Sequence, residues 1–232
     1  MLLDAKFRMG MALWVALLSV TGVIPGKAEA SLQQGSRLLH IGDSHSVGPF
    51  GRVLSKNLLA MKEIRSLGFY GSCGALARSY LTGWKTPCGF FALTPEGVRV
   101  DERHHRTPRI EALLEGQKPE LTVVELSTNY FMEWTRDRAV QDMRNLALLI
   151  RSSGSRCVWV SGPDTRRFHS RQAEMLDWVK ETVGSECRVV DGASLTEYPS
   201  HGGDGIHYGS RSEVSRWVDE VLRVIREELR AE

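Results

Sequence analysis

The sequence predicts an α/β fold, a mainly parallel sheet between two helical layers, on three observations. Short apolar runs of β character alternate with segments of helical period about five times along the chain. Hydrophobic residues make up 42% and charged residues 25%, enough apolar surface for a core and ordinary charge for a folded protein. The 232 residues show no internal repeat and no dividing linker, which fits one large domain. These values exclude a disordered, collagen-like or polytopic membrane chain. A formal net charge of +2 gives no electrostatic case for nucleic acid or for an anionic membrane.

Arg37–Ile41 is a short apolar run and reads as the first strand. Val47–Lys62 reads as a helix, with Val47, Phe50, Val53, Leu54, Leu58 and Met61 at helical spacing. Arg65–Tyr70 is a second strand. Residues 71–108, rich in Gly, Thr and Pro, are irregular and long for a plain connection, and read as an elaborated loop at the site. Arg109–Glu115 is a short helix stopped by Gly116. Leu121–Leu126 is a buried-strand pattern. Asp137–Ser152 is a helix with Val140, Met143, Leu146, Ala147 and Ile150 on one face. Cys157–Ser161 is a strand, His169–Val183 a helix and Cys187–Asp191 a strand. Ser210–Leu229 is a closing helix with Val214, Trp217, Val218, Val221, Leu222 and Ile225 inward. The expected architecture is a three-layer, flavodoxin-like sandwich with a mainly parallel five-stranded sheet. Its ligands belong at the carboxyl ends of the strands, at a switch in strand order.

The first thirty residues read as an export signal. Lys6 and Arg8 form a basic start, Met9 to Ile24 is almost uninterruptedly apolar, and Pro25-Gly26 precedes the small-x-small sequence Ala28-Glu29-Ala30. Cleavage is expected after Ala30, leaving a folded domain of residues 31–232 that is periplasmic or secreted. The alternative is an uncleaved anchor, although the run is short for a span of about 20 residues. Ser31, not a cysteine, follows the cleavage point, against a lipoprotein. In an oxidising compartment the four cysteines are expected to pair. Cys157 and Cys187 open successive strands that would lie side by side, so the expected bridges are Cys157–Cys187 and Cys73–Cys88.

Three segments fall at strand ends. Gly42-Asp43-Ser44-His45 follows the first strand, where a serine hydroxyl can stand at the sheet's edge. Ser127-Thr128-Asn129 follows Leu121–Leu126. Asp204-Gly205-Ile206-His207 precedes the closing helix, and its carboxylate can orient its imidazole toward a serine. Singly, each has an ordinary explanation: a capped turn, surface polarity, a turn residue. Their shared location gives them joint weight.

With these residues the chain resembles the SGNH hydrolases, also called GDSL esterases and lipases, over residues 37 to about 229. Leu38-Leu39-His40-Ile41-Gly42-Asp43-Ser44 is similar to the family's first block, Gly71-Ser72-Cys73-Gly74 to its second, Val124 to Asn129 to its third, and Asp204 to His207 to its fifth. The resemblance implies Ser44 as nucleophile, His207 as base and Asp204 as its orienting acid. It implies an oxyanion hole of the Ser44 amide, the Gly74 amide and the Asn129 side chain, with Gly71 a rival to Gly74. No metal or organic cofactor is implied. Thr128 and Tyr130 depart from the family's Gly-x-Asn-Asp pattern, and His45 replaces the leucine of the plain GDSL form. Gly-Asp-Ser-His followed by Ser46-Val47-Gly48 is similar to exported esterases that remove O-acetyl groups from peptidoglycan.

The expected function is therefore hydrolysis of O-acyl, chiefly O-acetyl, esters of a cell-envelope polysaccharide. The expected partner is an acylated carbohydrate or small ester, with no nucleic acid and no membrane span after cleavage. Transfer of the acyl group to a sugar hydroxyl, or non-catalytic glycan binding on the same fold, are the alternatives. His45, Tyr130, Trp84 and Trp134 read equally as lining the substrate site or as packing against the loops. Arg166 and Arg167 are placed to meet an anion or simply to face solvent. His104-His105 lacks a spaced third ligand, so no metal site is expected.

Overall fold

Successive side chains of a strand face opposite sides of its sheet, and this divides the core in two. In the computed structural model, which describes residues 35–231 apart from Trp134, β1 (Ser36–Gly42) sends Leu39 and Ile41 to one apolar cluster and Leu38 to the other. The export signal expected over 1–30, its expected cleavage point and Trp134 lie outside the described residues.

After β1 come α1 (Ser44–Val47), α2 (Pro49–Leu59), β2 (Ile64–Ser72), α3 (Ala77–Thr82), β3 (Lys85–Thr86), β4 (Phe90–Leu93), β5 (Arg99–Glu102) and β6 (His105–Arg106). Then follow α4 (Ile110–Gln117), β7 (Leu121–Glu125), α5 (Tyr130–Glu133), α6 (Arg136–Ser152), β8 (Arg156–Val160), α7 (Gln172–Val183), β9 (Arg188–Val190) and α8 (Arg211–Arg230). The main sheet has seven strands in the order β5-β4-β2-β1-β7-β8-β9. Strands β2, β1, β7, β8 and β9 run parallel, as the alternation of elements predicts. Residues of α3, α4, α6 and α7 pack in one cluster and those of α2 and α8 in the other, giving three layers.

The strand count departs from five because residues 71–108 are not irregular throughout. Phe90–Leu93 pairs antiparallel with the end of β2, and Arg99–Glu102 pairs with it in turn. The partner strand, not a local pattern, makes this edge. Strands β3 and β6 form a separate ribbon. Two helix boundaries also differ. The helix expected over 47–62 breaks at Gly48, and Pro49 restarts it at a first-turn position where a missing N–H costs nothing. The α4 helix runs through Gly116 and stops at Lys118, which takes a left-handed φ of 46° before Pro119.

Both expected disulfides are present: Cys73–Cys88, and Cys157–Cys187 with Cα atoms 4.4 Å apart across β8 and the start of β9. The chain leaves β1 for β2 on one side and returns to β7 on the other. The switch in strand order therefore opens beyond Gly42 and Glu125, where functional side chains are expected to gather. Among the described residues, no helix is long and apolar enough to cross a membrane.

Candidate active site

Ser44 stands at the first position of α1, directly beyond β1. The carboxyl of Asp43 caps this turn by accepting from the His45 N–H at 2.9 Å. The turn sits close on the sheet because three glycines leave room for it. A Cβ at Gly42 would meet Ser46 Oγ at 1.9 Å, one at Gly51 the Ser46 carbonyl oxygen at 1.8 Å, and one at Gly71 the Ser46 carbonyl carbon at 2.7 Å. Tyr80 of α3 secures the strand end. Its hydroxyl lies 2.7 Å from the Gly42 carbonyl oxygen and 2.8 Å from that of Tyr70, and accepts from the Gly42 N–H.

The structure brings Ser44, His207 and Asp204 together. Ser44 Oγ is 2.8 Å from His207 Nε2, and His207 Nδ1 is 2.6 Å from Asp204 Oδ2. The other oxygen of Asp204 accepts the Ile206 and His207 amides at 2.8 Å each. Partial burial works against its charge, but the ring and the two amides outweigh that and hold the carboxyl well below the usual carboxylate range. With Nδ1–H given to Asp204, Nε2 is left to accept from the serine.

The loop carrying Asp204 is braced from several sides. Tyr198 Oη accepts the Gly205 N–H at 3.0 Å and donates to the His207 carbonyl at 3.1 Å. Arg166 reaches the carbonyls of Pro199 and Gly202, and the Arg167 amide that of Gly205. Gly202, Gly203 and Gly205 all have positive φ, backbone that other residues enter at a cost. Immediately after His207, Ser210 and Glu213 form a reciprocal capping box that starts α8. Arg166 therefore ties the loop rather than facing an anion.

Gly74 lies on the turn after β2 with φ +77°. The amides on either side are engaged, Cys73 with Gly89 O at 2.8 Å and Ala75 with Ser72 O at 3.0 Å, whereas that of Gly74 has no partner among the described residues. Gly71, its rival, is a buried residue of β2 in register with Gly42 and Phe91, so its place is in the sheet. Asn129 follows β7 and is nearly buried. Its Nδ2 donates to the Ala75 carbonyl at 2.9 Å and to Asp43 Oδ2 at 3.2 Å.

Of the two readings given to Tyr130 and His45, lining and packing, the structure has both side chains packed inward. Tyr130 is fully buried, with its hydroxyl accepting the Ala77 N–H, and so offers no platform. His45 is 4% exposed and packs beneath His207, ring centroids 5.4 Å apart, with its other edge on Trp217. Burial pushes its pKa down to about 3, so it stays neutral. Trp84 is half-buried and lies over Gly74, where an added Cβ would meet its ring at 3.1 Å. His105 stacks on Phe90 and bonds Glu102. Among the described residues no group of three His, Cys, Asp or Glu could hold a metal.

A cavity of about 170 Å³ beside His207 is lined by Tyr198, His201, Gly202, Gly203, Tyr208 and Glu213, among others. A larger groove of about 560 Å³ between α3, α4 and α6 holds none of these site residues. The chemistry, not the volume, locates the site. Tyr80, Tyr198 and Glu125 are site residues that sequence reasoning did not single out. Tyr80 and Glu125 meet partners 38 and 79 residues away, Tyr198 meets backbone seven and nine residues on, and none of the three carries a local signal.

No family model matches the chain, and a search of curated proteins finds no match. Solved structures do. A peptidoglycan O-acetylesterase superposes with a TM-score of 0.58 at 11% identity, over 87% of this chain and 93% of that one. The psychrotrophic esterase EstA from Pseudoalteromonas sp. gives 0.55 at 13% identity, over 84% of this chain and 98% of that one. A G-D-S-L family lipolytic protein from Veillonella parvula gives 0.52 at 12% identity, over 82% and 98%. The fold is shared with these esterases and lipolytic proteins.

Proposed function

We propose that this chain is an exported serine esterase that removes O-acyl groups, chiefly O-acetyl, from a cell-envelope polysaccharide. The observation that carries it is the hydrogen-bonded series Ser44 Oγ, His207 Nε2, His207 Nδ1, Asp204 Oδ2, assembled from segments 163 residues apart. His207 takes the serine proton as Ser44 Oγ attacks the ester carbonyl, and Asp204 stabilises the resulting imidazolium. In this reading the amides of Ser44 and Gly74 donate to the developing oxyanion. The Asn129 Nδ2 joins them by sharing the proton it gives Asp43 at the longer of its two contacts. His207 then protonates the leaving alcohol. Water, deprotonated by the same ring, releases the acid and restores Ser44.

Polysaccharide as substrate is supported by one fold neighbour, a peptidoglycan O-acetylesterase. Export is supported by the layout of residues 1–30 and by two disulfides, which persist in oxidising compartments. The test is turnover of p-nitrophenyl acetate and release of acetate from O-acetylated peptidoglycan by the purified protein, with a fluorophosphonate adduct mapped by peptide mass. The expected adduct is on Ser44. Labelling elsewhere overturns the site, and no turnover across a broad acyl panel overturns the activity.

A further inference from the structure

Beneath Ser44 lies a polar cluster of which the acyl-transfer steps use Asn129 alone. His40, Asp43, Ser46 and Glu125 are buried to 4% exposure or less, and Asn129 almost so, among the apolar residues of the α2 and α8 side. Their hydrogen bonds run one way. Nε2 of His40 lies 2.8 Å from Ser46 Oγ, which donates to Glu125 Oε2 at 2.9 Å. Burial holds His40 neutral, its pKa pushed down to about 3, so the ring brings no positive charge to balance a carboxylate. At the far end, Asp43 accepts from the His45 N–H on Oδ1 and from Asn129 Nδ2 on Oδ2, and the Asp43 amide donates to the Glu125 carbonyl at 3.2 Å.

The Asp43 and Glu125 carboxyls are close enough to shift one another's pKa, but both oxygens of Asp43 accept from N–H donors whereas Glu125 has a donor on Oε2 alone. Glu125 Oε1, like His40 Nδ1, is buried without a hydrogen-bond partner. A proton on Glu125 gives Oε1 a partner, since Oε1–H then donates to Asp43, and leaves His40 Nδ1 as the unpartnered atom of the series His40, Ser46, Glu125, Asp43. The other charged or titratable groups near the pair are the buried Tyr80 and His45 and, toward solvent, His207.

We infer that Glu125, as the proton donor of this carboxyl pair, is a positioning residue for the Asn129 amide. Glu125–H fixes the Asp43 carboxyl, whose Oδ1 caps the Ser44 turn and whose Oδ2 draws one Asn129 proton to the Ser44 side of β7. The Ala75 carbonyl takes the other proton, so the amide plane is set by two acceptors on two loops. Gly42 makes the arrangement possible, because a Cβ there would strike Ser46 Oγ and come within 3.1 Å of Glu125 Oε2. The effect on catalysis rests on the esterase assignment above; the protonated pair itself does not.

Three measurements on the purified full-length protein decide it. First, the infrared C=O stretch of a buried protonated carboxyl is expected in the wild type and lost in Glu125→Gln. Second, Glu125→Ala is expected to lower kcat by ~10-fold or more with KM nearly unchanged, below the ~10²–10³ cost of deleting an oxyanion donor outright. Glu125→Gln, whose amide still donates to Asp43 and accepts from Ser46, should recover most of that loss. Third, in an Asn129→Ala background Glu125→Ala should cost little more, because both changes remove one interaction. If Glu125→Ala does not fold, the isosteric Asp43→Asn carries the same cycle. An infrared band that survives Glu125→Gln overturns the proton assignment. Additive losses in the cycle, or loss of thermal stability with kcat intact, overturn the positioning role. If the wild type turns over no ester, the esterase reading fails while the infrared result still decides the proton.

Discussion

Asp204 and Asp43 carry the same carboxyl and are held in opposite surroundings. Asp204 stands on a surface loop with more than half its side chain exposed, and three N–H donors converge on it. Asp43, next to the candidate nucleophile, has no exposure, and its neighbour Glu125 is a second acid. The first stays ionised because its donors outweigh its partial burial. The second is pushed up to about 7, chiefly by burial, and Glu125 is raised well above the ordinary carboxyl range by burial and by the Asp43 charge. Residue type thus says little about protonation, and donor count and water say most. One acid is built to stabilise a transient imidazolium, the other to hold a shape.

The largest effect should come from breaking the exposed side. Ser44→Ala should abolish the acyl-enzyme, and His207→Ala should lower kcat by at least ~10⁴, with Asp204→Asn close behind. Single-turnover kinetics on a chromogenic ester would check this. Their combinations should fall far short of the summed losses, because the three act as a unit. Ester turnover that survives Ser44→Ala would sink the assignment.

Asn129 is where the two regions meet, and its loss should be the next largest. Asn129→Ala should reduce kcat by ~10²–10³ while KM barely moves, since its hydrogen bond gains strength only as charge develops on the carbonyl oxygen. Steady-state kinetics showing a raised KM at constant kcat would make it a ground-state contact instead.

The disulfides separate rate from stability. Replacing both Cys157 and Cys187 by Ala should cost about 2–4 kcal/mol in urea denaturation and leave kcat within about twofold, because the bridge joins two strands behind the site. Replacing Cys73 and Cys88 should also lower kcat several-fold, because Cys73 precedes Gly74 and the bridge anchors that turn. Equal kinetic effects from the two pairs would remove this distinction.

The smallest effect is the pH dependence of stability. The folded value of Glu125 is raised well above the ordinary carboxyl range, so above about pH 4 the folded state keeps a proton that the unfolded chain has released. The stability tied to that proton is complete below the unfolded value and is lost as pH rises toward the folded one. Urea midpoints should fall with rising pH from this source, and Glu125→Gln should flatten the slope. Asp204 acts in the opposite sense, its contribution disappearing only in strong acid.

The alternation of apolar runs was enough to read five parallel strands and their helices, because buried strands and amphipathic helices write their period into adjacent residues. Ser44, and the pair Asp204 and His207, were legible for a related reason: each lies in a short segment at a strand or helix boundary. The cysteine pairing followed from which strands are neighbours. Other features are not local properties. Phe90–Leu93 becomes a strand because the end of β2 offers an edge, and the Gly- and Pro-rich chain around it hides the run. Tyr130 and His45 looked like candidates for the substrate face, but burial is decided by which layer covers a side chain. Glu125 closes β7 in sequence as any polar strand end does. Only the approach of β1, α1 and β7 at the switch point puts its carboxyl against Asp43 without water, and that exclusion is what keeps its proton.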